Sequence, residues 1–234
     1  MRADLRIPKS VALELTYRCN HRCLFCSCPW EAPASDPARL EPGEELTIAQ
    51  WIDALQVLKN QGVKQLSISG GEPLLKEGLL NLLRHIRKDG YFNRGGKIVL
   101  ISNGLAMNED FLAAFKEYGV QLSLSLPGLA AFEKLTGVDN AEGVLYWFSR
   151  AKQAGLATTC NITVTKLNHH ELFETIANAF IAGADTLLLN RFLAGGRGIA
   201  NEAVLSITKK ELNEMLDVAE DVLSTANRIG AVGT

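Results

Sequence analysis

The sequence predicts an α/β protein, a partial (β/α)6 barrel with parallel strands. A near-continuous apolar run followed by a helical segment recurs six times along the 234 residues. Such alternation is typical of a parallel sheet covered by helices. Glycines close several of the predicted helices, as they often do just past a helix C-terminus. A closed (β/α)8 barrel needs eight strands and about 250 residues, so six repeats fit an open, partial barrel.

The elements follow one another without a low-complexity segment. The first strand, 11–16, leads into a cysteine-rich loop and then a polar stretch. The first helix begins after Thr47, which is suited to N-capping, and has Ile48 and Trp51 at helical spacing before Gly62. The other strands are predicted over 63–69, 97–102, 120–126, 156–164 and 184–190, and the other helices over 74–88, 108–118, 141–154, 169–182 and 208–226.

The chain is predicted to contain one main domain. Residues 1–10 are expected to be an N-terminal lead-in and residues 11–207 the barrel. Residues 208–234 are expected to be a C-terminal helix that leads into a missing extension. This length is sufficient for one sizeable core.

Charge and cysteine content limit the partners and the compartment. The formal net charge of −2 favours neither nucleic acid nor an anionic membrane. No apolar run approaches the roughly 20 residues of a membrane helix, and the N-terminus lacks a signal-peptide pattern. Four of the five cysteines lie between Cys19 and Cys28, which in a cytosolic protein indicates metal binding rather than disulfides. We therefore expect a cytoplasmic protein.

Polar or glycine-rich residues follow every predicted strand. Barrel active sites lie at the C-terminal edge of the strands, so these residues should converge although they are distant in sequence. They are the cysteine loop, Gly70 to Glu72, Asn103 with Gly104, Pro127 with Gly128, Thr165 with Lys166, and Arg191.

The cysteine loop contains Cys19, Cys23 and Cys26 at C-x3-C-x2-C spacing. Thiolates are ligands for iron–sulfur clusters or zinc. A [4Fe–4S] cube usually takes four cysteines, so a cube held by three would leave one iron open to bind and activate a small molecule. A structural zinc site that includes Cys28 is the alternative, but such sites usually pair two short cysteine knuckles at a distance.

Gly70, Gly71 and Glu72 end the second predicted strand and precede Pro73. Glycines allow the backbone to approach a ligand closely, and the carbonyls and the Glu72 carboxylate are acceptors suited to an ammonium group. The alternative is an ordinary strand-to-helix turn. The Gly-x4-Gly-Lys-Ser/Thr pattern of a phosphate loop is absent.

The cysteine spacing, together with Gly-Gly-Glu-Pro, resembles the radical S-adenosylmethionine (SAM) superfamily over about 11–198. The resemblance implies a [4Fe–4S] cluster on the three cysteines, and SAM bound to the open iron through its amine and carboxylate. It also implies that one electron from the cluster splits SAM, and that the resulting 5′-deoxyadenosyl radical removes a hydrogen from the substrate.

The resemblance implies roles for individual residues. Phe25 would pack against the adenine of SAM, with plain loop packing as the alternative. The motif Gly70 to Glu72 would receive the methionine amine. Ser102, Asn103 and Ser125 would face the ribose or the carboxylate of SAM, although Asn103 also suits a simple turn.

Five further positions lie outside the motifs described above. Thr136 stands near where many peptide-modifying relatives carry an arginine for the SAM carboxylate, and Arg191 could replace that arginine. A surface ion pair is the alternative for Arg191. Asn161, on a barrel strand, is a candidate ligand-binding residue because one alternating set of strand residues should face the interior. Cys28 and Cys160 are expected to be free or core thiols.

The barrel end, 189–198, resembles members with a SPASM-type extension, a Cys-rich domain that holds auxiliary clusters. Such members often modify ribosomally made peptides or oxidise protein side chains. The expected substrate is therefore a peptide or protein, with a nucleotide or sugar as the alternative, and a reductant such as flavodoxin or ferredoxin would supply the electron. No cysteine follows Cys160, so a truncated chain is expected. A non-catalytic metal-binding scaffold is the less favoured alternative.

Overall fold

A computed structural model describes residues 8–90 and 96–228. Its centre is a six-stranded parallel sheet in which strands adjacent in sequence are also adjacent in space. The predicted partial barrel is therefore confirmed. The strands are β1 Ser10–Glu14, β2 Gln65–Ser69, β3 Lys97–Ser102, β4 Val120–Ser125, β5 Thr158–Val164 and β6 Thr186–Arg191.

Helices follow the strands, as the sequence predicts. They are α1 Ile48–Asn60, α2 Leu79–Lys88, α3 Glu109–Tyr118, α4 Phe132–Thr136, α5 Ala141–Ala154, α6 Leu172–Ala182, α7 Glu202–Leu205 and α8 Lys209–Arg228. Short 3-10 helices span Pro29–Glu31, Pro73–Leu75, His169–Glu171 and Gly196–Asn201. Thr47 caps α1 in a reciprocal capping box with Gln50, which confirms the predicted start of that helix.

Two predicted helices are shorter than expected, and several short elements were not predicted. The prediction that a helix begins at residue 74 is wrong, because Gly78 adopts a left-handed conformation with φ 81° and α2 begins only after it. Likewise, the turn His169–Glu171 is a 3-10 helix that precedes α6. The short helices α4 and α7 have too few turns to show a periodic pattern.

The two faces of the sheet differ in polarity because side chains alternate along each strand. The outer face is covered by helices and contributes fully buried residues such as Leu66, Ile68 and Leu100. The expectation of near-continuous apolar strands is therefore wrong for β2, which alternates polar and apolar residues. The opposite face, which we call the inner trough, is mostly polar and half-buried or exposed: Glu14, Ser67, Ser69, Gln121, Ser125, Thr159, Asn161, Thr163 and Asn190. Its apolar members are Ala12, Val99, Ile101 and Leu188, and Ser123 on this face is buried.

Helix α8 packs on the same core as the barrel. Met215 is buried in that core, and Leu212, Val218 and Val222 pack against it while remaining partly exposed. Within residues 8–90 and 96–228, no helix is both long enough and apolar enough to cross a membrane.

Candidate cluster and cofactor site

The loop after β2 is bonded directly to the chain that leads into the cysteine loop. The Gly71 N–H donates to the Thr16 carbonyl at 2.7 Å, and the Glu72 N–H donates to the Arg18 carbonyl at 2.8 Å. A Cβ added to Gly71 would lie 2.2 Å from the Arg18 carbonyl oxygen, and one added to Gly70 would lie 2.6 Å from that of Thr16. These glycines thus allow two backbone segments to touch, which places the two sequence motifs side by side.

The Glu72 carboxylate is buried and bonded within the protein. Its Oε1 accepts from the Leu74 N–H at 3.0 Å and the Ser102 hydroxyl at 2.9 Å, and its Oε2 accepts from the Asn103 N–H at 2.8 Å. Burial raises the pKa of this carboxyl. The Ser102 hydroxyl also accepts from the Gly104 N–H at 3.0 Å. Glu72 therefore joins the ends of β2 and β3, and its proposed contact with an amine stays a prediction, as does that of Ser102 with SAM.

Asn103 connects the end of β3 to the cysteine loop. Its side-chain amide donates to the side-chain Oδ1 of Asn20 at 2.7 Å and lies 3.8 Å from the Cys19 sulfur. Its own Oδ1 accepts from the Leu105 N–H at 3.0 Å. This second hydrogen bond stabilises the turn after β3, so Asn103 also has the turn-forming role that was the alternative. N–H groups near cluster sulfurs tune reduction potential, so the amide position fits a residue beside a cluster.

A third contact holds the cysteine loop against α4. The Arg22 N–H donates to the Thr136 carbonyl at 2.8 Å, and the Leu24 N–H donates to the Leu135 carbonyl at 2.8 Å. Thr136 itself is buried and bonds the helix backbone. His21 is 4% exposed, and burial lowers its pKa to about 4. The backbone of the loop is therefore bonded to α4 on both sides of Cys23.

The thiols occupy unlike environments. Burial, then the nearby charges of Cys26 and Cys19, raises the pKa of Cys23 to about 12. A hydrogen bond from Cys28 is the main cause that lowers the pKa of Cys26 to about 7. The Cys28 sulfur also lies 3.7 Å from the Gly70 carbonyl oxygen, so its single S–H has two acceptors within reach. Metal binding would have to supply the free energy that deprotonates Cys23.

This donor set fits a [4Fe–4S] cube. Cys19, Cys23 and Cys26 are close enough for their charges to interact. Among the described residues, however, no three Cys, His, Asp or Glu side chains converge on one single-ion position. A tetrahedral zinc ion would need sulfurs about 4 Å apart, whereas a cube with one thiolate per iron takes its ligands from farther apart. No described donor is bonded to the Gly71 carbonyl, so an acceptor remains for an ammonium group.

Phe25 lies at the edge of a small apolar cluster at the barrel mouth. It is partly exposed and packs, with Leu24, against Leu135, Phe192 and Leu205. Both the adenine contact and the alternative of loop packing are compatible with a ring in this position, and the adenine contact stays a prediction.

The remaining predicted residues lie on β4 to β6. Ser125 and Asn161 are register partners in the inner trough, and Asn161 Oδ1 accepts from the Asn190 amide at 2.9 Å. Arg191 pairs in register with Val164, which is fully buried under the helices. Alternation therefore directs Arg191 away from the inner trough, so its proposed contact with the SAM carboxylate gains no support and stays a prediction.

Sequence reasoning missed two charged residues that hold the cysteine loop. Glu45 accepts hydrogen bonds from Thr16 and Tyr17, just before the loop. Arg197 donates to the Cys23 carbonyl at 3.1 Å. Both come from segments distant in sequence. Glu45 belongs to no recognisable motif, and Arg197 lies in the barrel-end segment 189–198, whose resemblance assigns it no role.

The parallel half-barrel and its three-thiol loop define a class of enzymes that bind an iron–sulfur cluster and an organic cofactor at the strand ends. The family model described as the radical SAM superfamily matches residues 13–179. The chain belongs to this superfamily, whose cofactors are a [4Fe–4S] cluster and SAM.

A curated relative agrees with this assignment, and solved structures share the fold. The chain is 31% identical over 217 residues to a PqqA peptide cyclase of Xanthomonas euvesicatoria, covering 91% of this chain and 55% of the relative. SuiB of Streptococcus suis, bound to precursor peptide SuiA, superposes with a TM-score of 0.75 at 17% identity, covering 95% and 48% of the two chains. The enzyme anSMEcpe with bound AdoMet gives 0.75 at 15% identity, covering 94% and 62%. The chain thus spans about half the length of its curated relatives.

Proposed function

We propose that this chain is a radical SAM enzyme that modifies a peptide. The observation that carries the proposal is the hydrogen-bonded junction of the two motifs, in which Gly71 and Glu72 donate to the residues that lead into Cys19. The junction brings the three-thiol loop and the Gly71 carbonyl, which accepts from no described donor, to one edge of the sheet. A substrate in the inner trough would lie below that edge.

Each residue has a role in this proposal. Cys19, Cys23 and Cys26 would hold the cluster, and the Gly70 and Gly71 carbonyls would accept from the SAM amine. Reduced cluster and SAM together supply a 5′-deoxyadenosyl radical that removes a hydrogen from the substrate. The chain orients these groups and excludes water from them.

A further group of residues would complete the cofactor pocket. Phe25 would pack on the adenine. Asn103, Ser125 and Asn161 would donate hydrogen bonds to SAM or to the substrate from the mouth of the inner trough.

A peptide is the substrate class that the comparisons favour. The curated relatives are peptide cyclases, and SuiB is bound to a precursor peptide. The inner trough supports this proposal, because its partly exposed hydroxyl and amide groups can bond to peptide N–H and C=O groups. A nucleotide or sugar is the other substrate class to be tested.

The test begins with the cofactors. Anaerobically reconstituted chain should contain about four irons per chain and should convert SAM to 5′-deoxyadenosine after reduction. Cys23→Ala should lose both iron and cleavage. Cys160→Ala is the matched control, because it removes a buried thiol from β5 and should keep both. Cleavage that persists in Cys23→Ala, or one zinc and no iron in the wild-type chain, would refute the proposal.

The remaining proposals concern the context of the enzyme. We infer an external electron donor such as flavodoxin or ferredoxin, since Cys19 in the cluster loop is exposed. All five cysteines are unpaired, which suits the reducing cytoplasm. The division into 1–10, 11–207 and 208–234 stays a prediction.

A further inference from the structure

The segment after β6 reaches back across the sheet to the cysteine loop. β6 and β1 are the two outermost strands of the sheet, yet the segment 195–201 bonds to the loop that follows β1. The Gly198 N–H donates to the Cys26 carbonyl at 3.2 Å, and the Asn201 amide donates to the Leu24 carbonyl at 3.3 Å. We call this segment the β6 brace.

The backbone of the β6 brace lies directly against the cluster loop. A Cβ added to Gly196 would lie 2.4 Å from the Cys28 carbonyl oxygen and 2.6 Å from that of Cys26. Gly196 also has φ 51°, a conformation that favours glycine. The glycine-rich sequence is thus explained by close approach to the cluster loop.

Arg197 is the one charged residue of the β6 brace. Its Nη1 donates to the Cys23 carbonyl at 3.1 Å, and its Nη2 forms an ion pair with Glu31. Solvent reaches only 21% of the Arg197 side chain and 28% of that of Glu31. A forked guanidinium can hold a carbonyl and a carboxylate at the same time, which an ammonium cannot do in the same geometry. The partial burial also limits screening of its charge.

We propose that Arg197 is a positioning residue that fixes the cluster loop and whose positive charge favours the reduced cluster, with Glu31 opposing that charge. The inference depends on the proposed function, since it requires a cluster on Cys19, Cys23 and Cys26. It does not require turnover or an identified substrate.

The two roles of Arg197 can be separated by two substitutions. Arg197→Lys keeps the charge but loses the fork, so the midpoint potential should stay near that of the wild type while a ferrous chelator removes iron about tenfold faster. Arg197→Gln loses both the charge and the forked guanidinium, so the chelator should again remove iron faster than from the wild type. Its ratio of reduced to oxidised cluster at a fixed potential should fall about tenfold, which is a shift of about 59 mV for a one-electron couple.

Glu31 supplies the test that a purely structural role would fail. Glu31→Gln keeps the bond from Arg197 to the Cys23 carbonyl and removes the opposing negative charge. Its midpoint potential should therefore rise, opposite in sign to that of Arg197→Gln. Arg150→Gln is the matched control, because Arg150 pairs with Glu109 on the exposed faces of α5 and α3 and should change neither measurement.

The midpoint potential is measured by redox titration of the reconstituted full chain, with electron paramagnetic resonance of the reduced cluster as the signal. Iron loss is measured separately, by the rate at which the chelator removes iron. Shifts of opposite sign in Arg197→Gln and Glu31→Gln would support the inference. Shifts of the same sign, or no shift in loaded variants, would overturn it alone. Wild-type chain that takes up no iron would overturn it together with the proposed function.

Discussion

Glu45 forms hydrogen bonds both to the residues that precede the cluster loop and to a residue that follows the glycine motif. One carboxylate oxygen accepts from the Thr16 hydroxyl at 2.5 Å and the Tyr17 N–H at 2.9 Å, and the other accepts from Lys76 at 2.8 Å. Thr16 and Tyr17 precede Cys19, whereas Lys76 follows the glycine motif. We therefore expect Glu45→Gln, which keeps the shape but removes the charge, to destabilise this junction.

The size of the effect follows from the pKa of Glu45. Although burial opposes it, the hydrogen bonds from Lys76, Thr16 and Tyr17 lower this pKa from 4.5 to about 2. One pKa unit corresponds to about 1.4 kcal/mol, so the unscreened contribution is about 3 kcal/mol. Solvent reaches 24% of the Glu45 side chain, and screening reduces the expected loss in unfolding free energy to about 1–2 kcal/mol.

The pH dependence has a definite sign. Because the pKa of Glu45 is lower in the folded chain, its contribution is fully present above the unfolded value of about 4.3. It is lost as the pH falls through the folded value of about 2. The difference between wild type and Glu45→Gln should thus be largest near neutral pH and shrink below about pH 4.

Urea unfolding of the full chain, followed by far-ultraviolet circular dichroism at pH 7 and pH 3, measures both quantities. Glu44→Gln is the matched control, since the neighbouring Glu44 is exposed and its loss should change the midpoint little. If Glu45→Gln and Glu44→Gln unfold at the same urea concentration, or if the difference is the same at both pH values, the reasoning is refuted.

Three other changes test the residues around the same junction. Gly71→Ala would put a Cβ 2.2 Å from a backbone oxygen and should lower the free energy of unfolding in urea by about 3 kcal/mol or more. The control, Gly43→Ala, has open space around it and should be nearly neutral, so equal costs of the two changes would contradict the close approach. Glu72→Gln should cost about 1–3 kcal/mol in the same assay because its amide would face the Asn103 N–H, and an unchanged midpoint would contradict the bonding described. Cys28→Ala should keep its full iron content by chemical analysis, and loss of one iron or more would make Cys28 a ligand.

The sequence was sufficient to predict the fold and which strand ends meet at the candidate site. Apolar runs that alternate with helical segments predicted the parallel sheet, and parallel strands necessarily bring their carboxyl ends to one edge. Cys19 and Gly71 therefore had to lie near one another once both were placed after a strand. The hydrogen bond from Gly71 to the Thr16 carbonyl shows this proximity in detail. It also shows that the glycines allow two backbone segments to touch, in addition to any role in ligand binding.

Long-range polar contacts could not be predicted in the same way. Arg197 lies 174 residues from Cys23, and Glu45 lies 28 from Tyr17. Neither pairing follows from periodicity, and surface charges are usually solvated. The sequence pattern also could not predict which face of the sheet Arg191 occupies, because a shift of one residue in the register of this edge strand would reverse it.

These contacts explain how a loop with little secondary structure of its own can hold a cluster. Three distant segments bond to its backbone or to its base: the glycine motif after β2, the end of α4, and the β6 brace. Each contact is modest alone, at about 1 kcal/mol per hydrogen bond, so breaking one should loosen the loop without unfolding the barrel. Loss of a single one of these hydrogen bonds should therefore appear first as loss of iron, whereas a backbone clash such as that of Gly71→Ala should also lower the unfolding midpoint.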